Sequence, residues 1–138
     1  MKGERYFEEH PWDRACSGIR ERKLGTVCEL AIQIVCKEGE LERTFARWLA
    51  RVEELTGAKP EGETLMAPRV ISFVGMAGSC VVRIFVDVSD SETTEDFEIV
   101  TDKALIVWKP GTSLQGRSTA GYTCCNQKFV SDLEATSC

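Results

Sequence analysis

A chain of 138 residues, 43% hydrophobic and 28% charged, is long enough for one domain with a real core and is too apolar to be disordered over most of its length. Its formal net charge of −5 argues against a nucleic-acid binder, whose phosphate contacts need a concentrated positive field. No window approaches the roughly 20 continuous apolar residues that span a bilayer, and residues 1–25 show no apolar signal segment. The expected setting is therefore intracellular, cytoplasmic or nuclear, with no membrane partner.

Residues 1–25 are polar and lack a sustained period, so they predict an irregular N-terminal arm. Tyr6, Phe7 and Trp12 are its apolar anchors, and a short helical turn is expected near Asp13–Gly18. Proline crowds the preceding residue out of the α region, which predicts an extended point at His10-Pro11.

From Thr26 to Lys37 the period is two, and Cys28, Leu30, Ile32, Ile34 and Cys36 form the side that faces a core. The strongest signal follows. In Glu40–Thr56, Leu41, Phe45, Trp48, Leu49, Val52 and Leu55 recur on one helical face, and Gly57 with Lys59-Pro60 supplies the stop. Residues 57–68 read as a loop. Strands are expected at about Arg69–Val74, Ser79–Val88, Phe97–Thr101 and Ala104–Trp108, with a hairpin at Gly75–Gly78 and an acidic turn at Ser89–Asp96. The fold class is α+β: an antiparallel sheet of about five strands in the order β-α-β-β-β-β, with one amphipathic helix packed on one face. The domain is expected to span 26–110, followed by a flexible tail over 111–138, rich in Gly, Ser and Thr.

The segment from Val81 to Pro110 resembles the middle strands of the small heat-shock sandwich over under a quarter of the chain. An amphipathic helix after the first strand does not belong to that sandwich, so nothing is carried over from it.

The chemistry-bearing residues form no recognisable constellation. Seven cysteines accompany a single histidine, the count is odd, and no C-x-x-C occurs, so reduced thiols are expected and no metal site. Gly78-Ser79-Cys80 lacks the nucleophile pattern and leads into a strand, while Gly75 and Gly78 are too few for a phosphate cradle. Asp87, Asp90, Glu92, Glu95 and Asp96 miss the calcium-loop spacing and read as a solvated acidic turn. No catalytic residue and no cofactor is expected.

Two surfaces stand out. One helix covers one face of a sheet, which leaves Val27, Ala31, Val35, Val81, Phe85 and Trp108 on an uncovered side too apolar for a solvated face. Either the arm or the tail covers it, or it meets a protein partner, most simply a second copy in a symmetric dimer. Arg43, Arg47 and Arg51 repeat along the polar side of the helix and form a possible contact for an anionic partner, though neighbouring glutamates also balance them. The function expected on these grounds is an intracellular protein–protein interaction or self-associating adaptor module without catalytic activity. The alternatives are a small-ligand-binding protein or enzyme with a site between helix and sheet or near Ser72, Arg83 and Asp87, and a nucleic-acid contact through the arginine stripe.

Overall fold

A computed structural model describes residues 10–110 and 114–118, the side chains of Arg22, Arg117 and Ser118 excepted. The elements in chain order are α1 (Pro11–Arg22), β1 (Val27–Cys36), α2 (Leu41–Thr56), β2 (Pro60–Ala67), β3 (Val70–Ala77), β4 (Cys80–Val88), β5 (Thr94–Thr101), β6 (Ala104–Trp108) and β7 (Gln115–Ser118). Among the described residues no helix is long and apolar enough to cross a membrane.

The seven strands form one sheet in the order β2-β3-β4-β1-β5-β6-β7. β1 is central. It runs parallel to β4, with Leu30 beside Val82 and Ile34 beside Val86, and antiparallel to β5; every other pairing is antiparallel. After β1 the chain crosses the sheet as α2, lays down β2 and β3, and returns as β4.

Both helices lie on one face of this sheet. α2 buries Leu41, Phe45, Trp48 and Val52 against β3, β4 and β1, and ends where Gly57 takes a left-handed conformation, with φ 76°, that a side chain would strain. α1 packs beside α2 through Trp12, Ala15 and Ile19, which recur at helical spacing. Trp12 makes edge-on contacts with Trp48 at 5.3 Å and with Phe97 of β5 at 5.1 Å. Each fully buried side chain of this size contributes roughly 1.5–3 kcal/mol, so the aromatic junction ties α1 firmly to the rest.

Among the described residues the expected sheet of about five strands is corrected to seven, and the single helix to two. β2 occupies the segment whose composition predicts a loop. It is exposed along its length, so no apolar alternation marks it, and it is held at the sheet edge by backbone pairing with β3. β7 lies where a tail is expected, with Gly116 opposite Ile106; the rest of 119–138 lies outside the described residues. α1 replaces the irregular segment expected at 11–22.

The register corrects two residues. A bulge in the β1–β5 pairing between Val27 and Glu29 breaks the alternation, so Val27 is buried on the helix side and Cys28 is exposed. In β6, Trp108 lies opposite Phe97, so it faces the helices and not the uncovered side.

Candidate functional site

At the end of the sheet where both helices begin, a cleft of about 450 Å³ opens between the start of α1, the end of β1, the first turns of α2 and the start of β5. Pro11, Cys36, Glu40, Thr44, Arg47, Glu95 and Trp108 line it. Local sequence rules put these groups there. Pro11 sits at the first helical position, where its missing N–H costs nothing, and His10 caps the helix: the Trp12 backbone N–H donates to His10 Nδ1 at 3.0 Å. With Nδ1 accepting, the ring proton resides on Nε2, which donates to Glu95 Oε1 at 2.5 Å. This hydrogen bond holds the Glu95 carboxyl below its ordinary range, against the opposing effect of burial and with help from the Arg51 and Arg47 charges. The bond occupies one carboxylate oxygen, and the second has lone pairs to accept a ligand hydroxyl.

The three arginines of the predicted stripe have different fates. Arg43 is exposed and pairs with Glu40 at 3.5 Å. Arg47 lines the cleft. Arg51, one turn further, stacks over Trp48 with its guanidinium carbon 4.5 Å from the ring centroid. Among the described residues its buried Nη1 meets no hydrogen-bond partner, and neither does the buried Trp48 Nε1. An unmet buried donor costs about 1–3 kcal/mol, so two in touching side chains call for an explanation.

A second cleft, of about 430 Å³, lies at the opposite end, where α2 finishes and β1 begins, lined by Cys16, Arg20, Thr26, Leu55, Ser79 and Cys80 among others. Burial, reinforced by Asp13, pushes the Cys16 thiol up to about 12, and burial pushes Cys80 up to about 11. Neither is a nucleophile near neutral pH. Cys36 and Cys80 are buried, and the four described cysteines are free thiols. Among the described residues no three His, Cys, Asp or Glu gather as a metal site.

On the uncovered face, the cross-strand register brings Ala31, Val35, Val81 and Phe85 to the same side, next to the Glu29–Arg83 ion pair at 2.5 Å. Leu65, Val74, Met76 and Phe85 are exposed there, and Ser72 and Arg83 border a shallow depression. Asp87 instead accepts its neighbour's Val88 N–H at 2.8 Å. Val27 and Trp108, expected on this face, are on the other side.

No protein-family model matches the sequence, and no curated protein matches it. Solved structures do. UDP-N-acetylglucosamine 3-dehydrogenase GnnA from Acidithiobacillus ferrooxidans matches with a TM-score of 0.58 at 14% identity, over 92% of this chain and 51% of that one. A second crystal form of the same enzyme gives 0.55 at 12% identity, over 90% and 50%. The dehydrogenase MviM from Clostridium difficile is similar at 12% identity and a TM-score of 0.49, over 91% of this chain and 50% of that one. This chain thus spans about half the length of the structures it matches, and its fold is shared with dehydrogenases. That likeness runs against the expected adaptor without catalytic activity, because the proteins found to share the fold are dehydrogenases.

A dinucleotide cradle does not fit these residues. Such cradles place a glycine-rich turn between a strand and the N-terminus of a helix in a parallel sheet, where the helix dipole meets the pyrophosphate. Here the β1–α2 connection is Lys37-Glu38-Gly39-Glu40, followed by Glu42 in the first helical turn, and among the described strands only β1 and β4 pair in parallel. Three carboxylates at that helix start repel a phosphate.

The His10–Glu95 pair is what sequence reasoning missed. His10 falls in the segment expected to be an arm and Glu95 in a turn expected to be solvated, 85 residues apart. A usable signal exists in His10-Pro11-Trp12-Asp13: a polar residue, then proline, then an acid within the first turn, marks a helix start.

Proposed function

We propose that this chain is the substrate-side part of an oxidoreductase of the dehydrogenase type, and that the cleft between the helix starts binds a small hydroxyl-rich ligand such as the sugar portion of a sugar nucleotide. The observation that carries this reading is the cleft itself. A concave space of this size, with an acid, an arginine, a buried threonine and a tryptophan converging on it, has the make-up of a small-ligand site. The fold shared with dehydrogenases supports the enzyme class, and the sugar-nucleotide substrate class is extended from the activity for which GnnA is named.

In this reading Glu95 accepts hydrogen bonds from ligand hydroxyls, Arg47 and Thr44 donate, and the Trp108 ring supplies an apolar wall. His10 is a positioning residue. Both its nitrogens are committed, one to capping α1 and one to Glu95, so it fixes the carboxylate's rotamer and charge state. A dinucleotide is held by a part other than this chain. The setting is intracellular, in keeping with free thiols.

Calorimetric titration of UDP-N-acetylglucosamine into the chain tests this. Binding that weakens about tenfold or more in Glu95→Gln is expected, since a hydrogen bond to a charged group is lost. Absence of binding, or equal binding by the variant, contradicts the reading. Tight binding of a nicotinamide dinucleotide by the chain alone contradicts it as well.

A further inference from the structure

Two of the described cysteines stand side by side at the starts of neighbouring strands. Cys28 is the second residue of β1 and Cys80 the first of β4. The parallel register sets Glu29 beside Val81 and Leu30 beside Val82, so one step earlier it sets Cys28 beside Cys80. Paired strands lie about 4.8 Å apart and a disulfide spans Cα atoms about 4.4–6.8 Å apart, so these positions suit a bridge with little backbone movement. Electrostatics report the same closeness. After burial, it is the Cys28 charge that raises the Cys80 thiol most, ahead of Glu29.

The two thiols differ in access. Cys28 is exposed, whereas Cys80 is only 2% exposed on the wall of the second cleft. Cys28 is also the extra residue of the bulge in the β1–β5 pairing, with its Sγ 3.4 Å from the Thr26 carbonyl oxygen, so its side chain turns without breaking a ladder bond to β5. An oxidant from solvent therefore meets Cys28 first, and Cys80 is the neighbour held ready behind it.

We propose that Cys28 and Cys80 form a reversible disulfide when the protein meets a peroxide, locking the start of β1 to the start of β4 beside the second cleft. The Cys28 thiolate attacks one peroxide oxygen, the O–O bond breaks, and a sulfenic acid and a first water form. The Cys80 sulfur then attacks the Cys28 sulfur and expels hydroxide, which takes up the Cys80 proton as the second water. Two thiols and one hydrogen peroxide thus give one disulfide and two waters. Burial slows Cys80 against free reagents, roughly a hundredfold in thiolate content. Against a sulfur fixed beside it, an effective concentration on the order of 10⁵ M or more outweighs that deficit. The bridge closes a loop that contains α2, β2 and β3, which restricts the unfolded chain and stabilises the parallel pairing. A bond made by peroxide and undone by thiols suits a reducing compartment, where disulfides are transient. This device does not depend on the ligand of the first cleft.

The full chain with Cys124, Cys125 and Cys138 replaced by serine is treated with one equivalent of hydrogen peroxide, quenched with an alkylating reagent and mapped by mass spectrometry. A Cys28–Cys80 peptide pair within one chain, released by dithiothreitol, is expected, with Cys16 and Cys36 still alkylated after unfolding. The bridged form is expected to melt at a higher temperature than the reduced form. In Cys80→Ala, dimedone is expected to trap the sulfenic acid on Cys28 that the unaltered pair consumes. A Cys28 sulfenic acid that persists although Cys80 is present, a bridge from either residue to Cys16, or a bridge between two chains overturns the proposal. So does a bridged form that melts no higher than the reduced one. The mapping of the Cys80-containing chain decides the question even if Cys80→Ala does not fold.

Discussion

The two clefts at opposite ends of the helix layer share β1 and have nearly the same volume, and they differ in what their side chains can do. At the helix starts, a capping histidine holds an acid ionised beside arginine and a half-buried tryptophan. At the helix ends, the corresponding depth is occupied by thiols whose ionisation burial suppresses. Concavity alone therefore does not mark a site. What marks it is a charged group kept in its useful state by a specific neighbour, and only the first cleft has one.

The aromatic junction that walls the first cleft gives the largest expected effect. Trp12→Ala should cost about 3–5 kcal/mol in urea unfolding, because it empties the space between Trp48 and Phe97. A cost below about 1 kcal/mol would mean that α1 is not part of the core and that the cleft has no fixed wall. Next comes the thiol contrast. At pH 8, Cys80 carries about a hundredfold less thiolate than an ordinary cysteine, and Cys16 less still, so alkylation followed by mass mapping should label exposed Cys28 well before either. Early labelling of Cys16 or Cys80 would erase the difference between the clefts.

Glu95 sharpens the comparison through pH. Its folded value is lowered from 4.5, so its contribution is fully present above about pH 4.5 and is lost as the pH falls through the folded value. Glu95→Gln should cost about 0.5–1 kcal/mol at neutral pH and make the unfolding midpoint less sensitive to acid. An unchanged acid profile would show that His10 does not hold the carboxylate. The smallest effect lies on the uncovered face, where Phe85→Glu should change stability by no more than about 0.5 kcal/mol, since Phe85 is 41% exposed.

What could be read in the sequence follows from how strongly burial stamps a pattern. α2 has a full apolar stripe and a glycine stop, β4 alternates cleanly and β1 does so from Leu30 onward, so their positions are legible to within a residue or two. β2 bears no stamp because all but its first residue is exposed. The parallel pairing of β1 with β4 is invisible for another reason: adjacency across a crossover leaves no local trace. The bulge that buries Val27 and exposes Cys28 is a backbone event without a side-chain signature. For the site, Arg47 and Trp108 carry visible chemistry, yet the stripe suggests a surface contact for the first and the period-two reading puts the second on the wrong face. His10 and Glu95 meet only because α1 packs over β5, a contact built by Trp12 and Phe97.

Amide-shift mapping with UDP-N-acetylglucosamine tests the functional assignment most directly. The account predicts that the perturbed amides cluster at Cys36–Arg47 and Thr93–Glu95, around the first cleft, and that Thr26 and Ala77–Cys80 around the second stay unmoved. Perturbations centred on the second cleft, or on the uncovered face near Arg83 and Phe85, would contradict it.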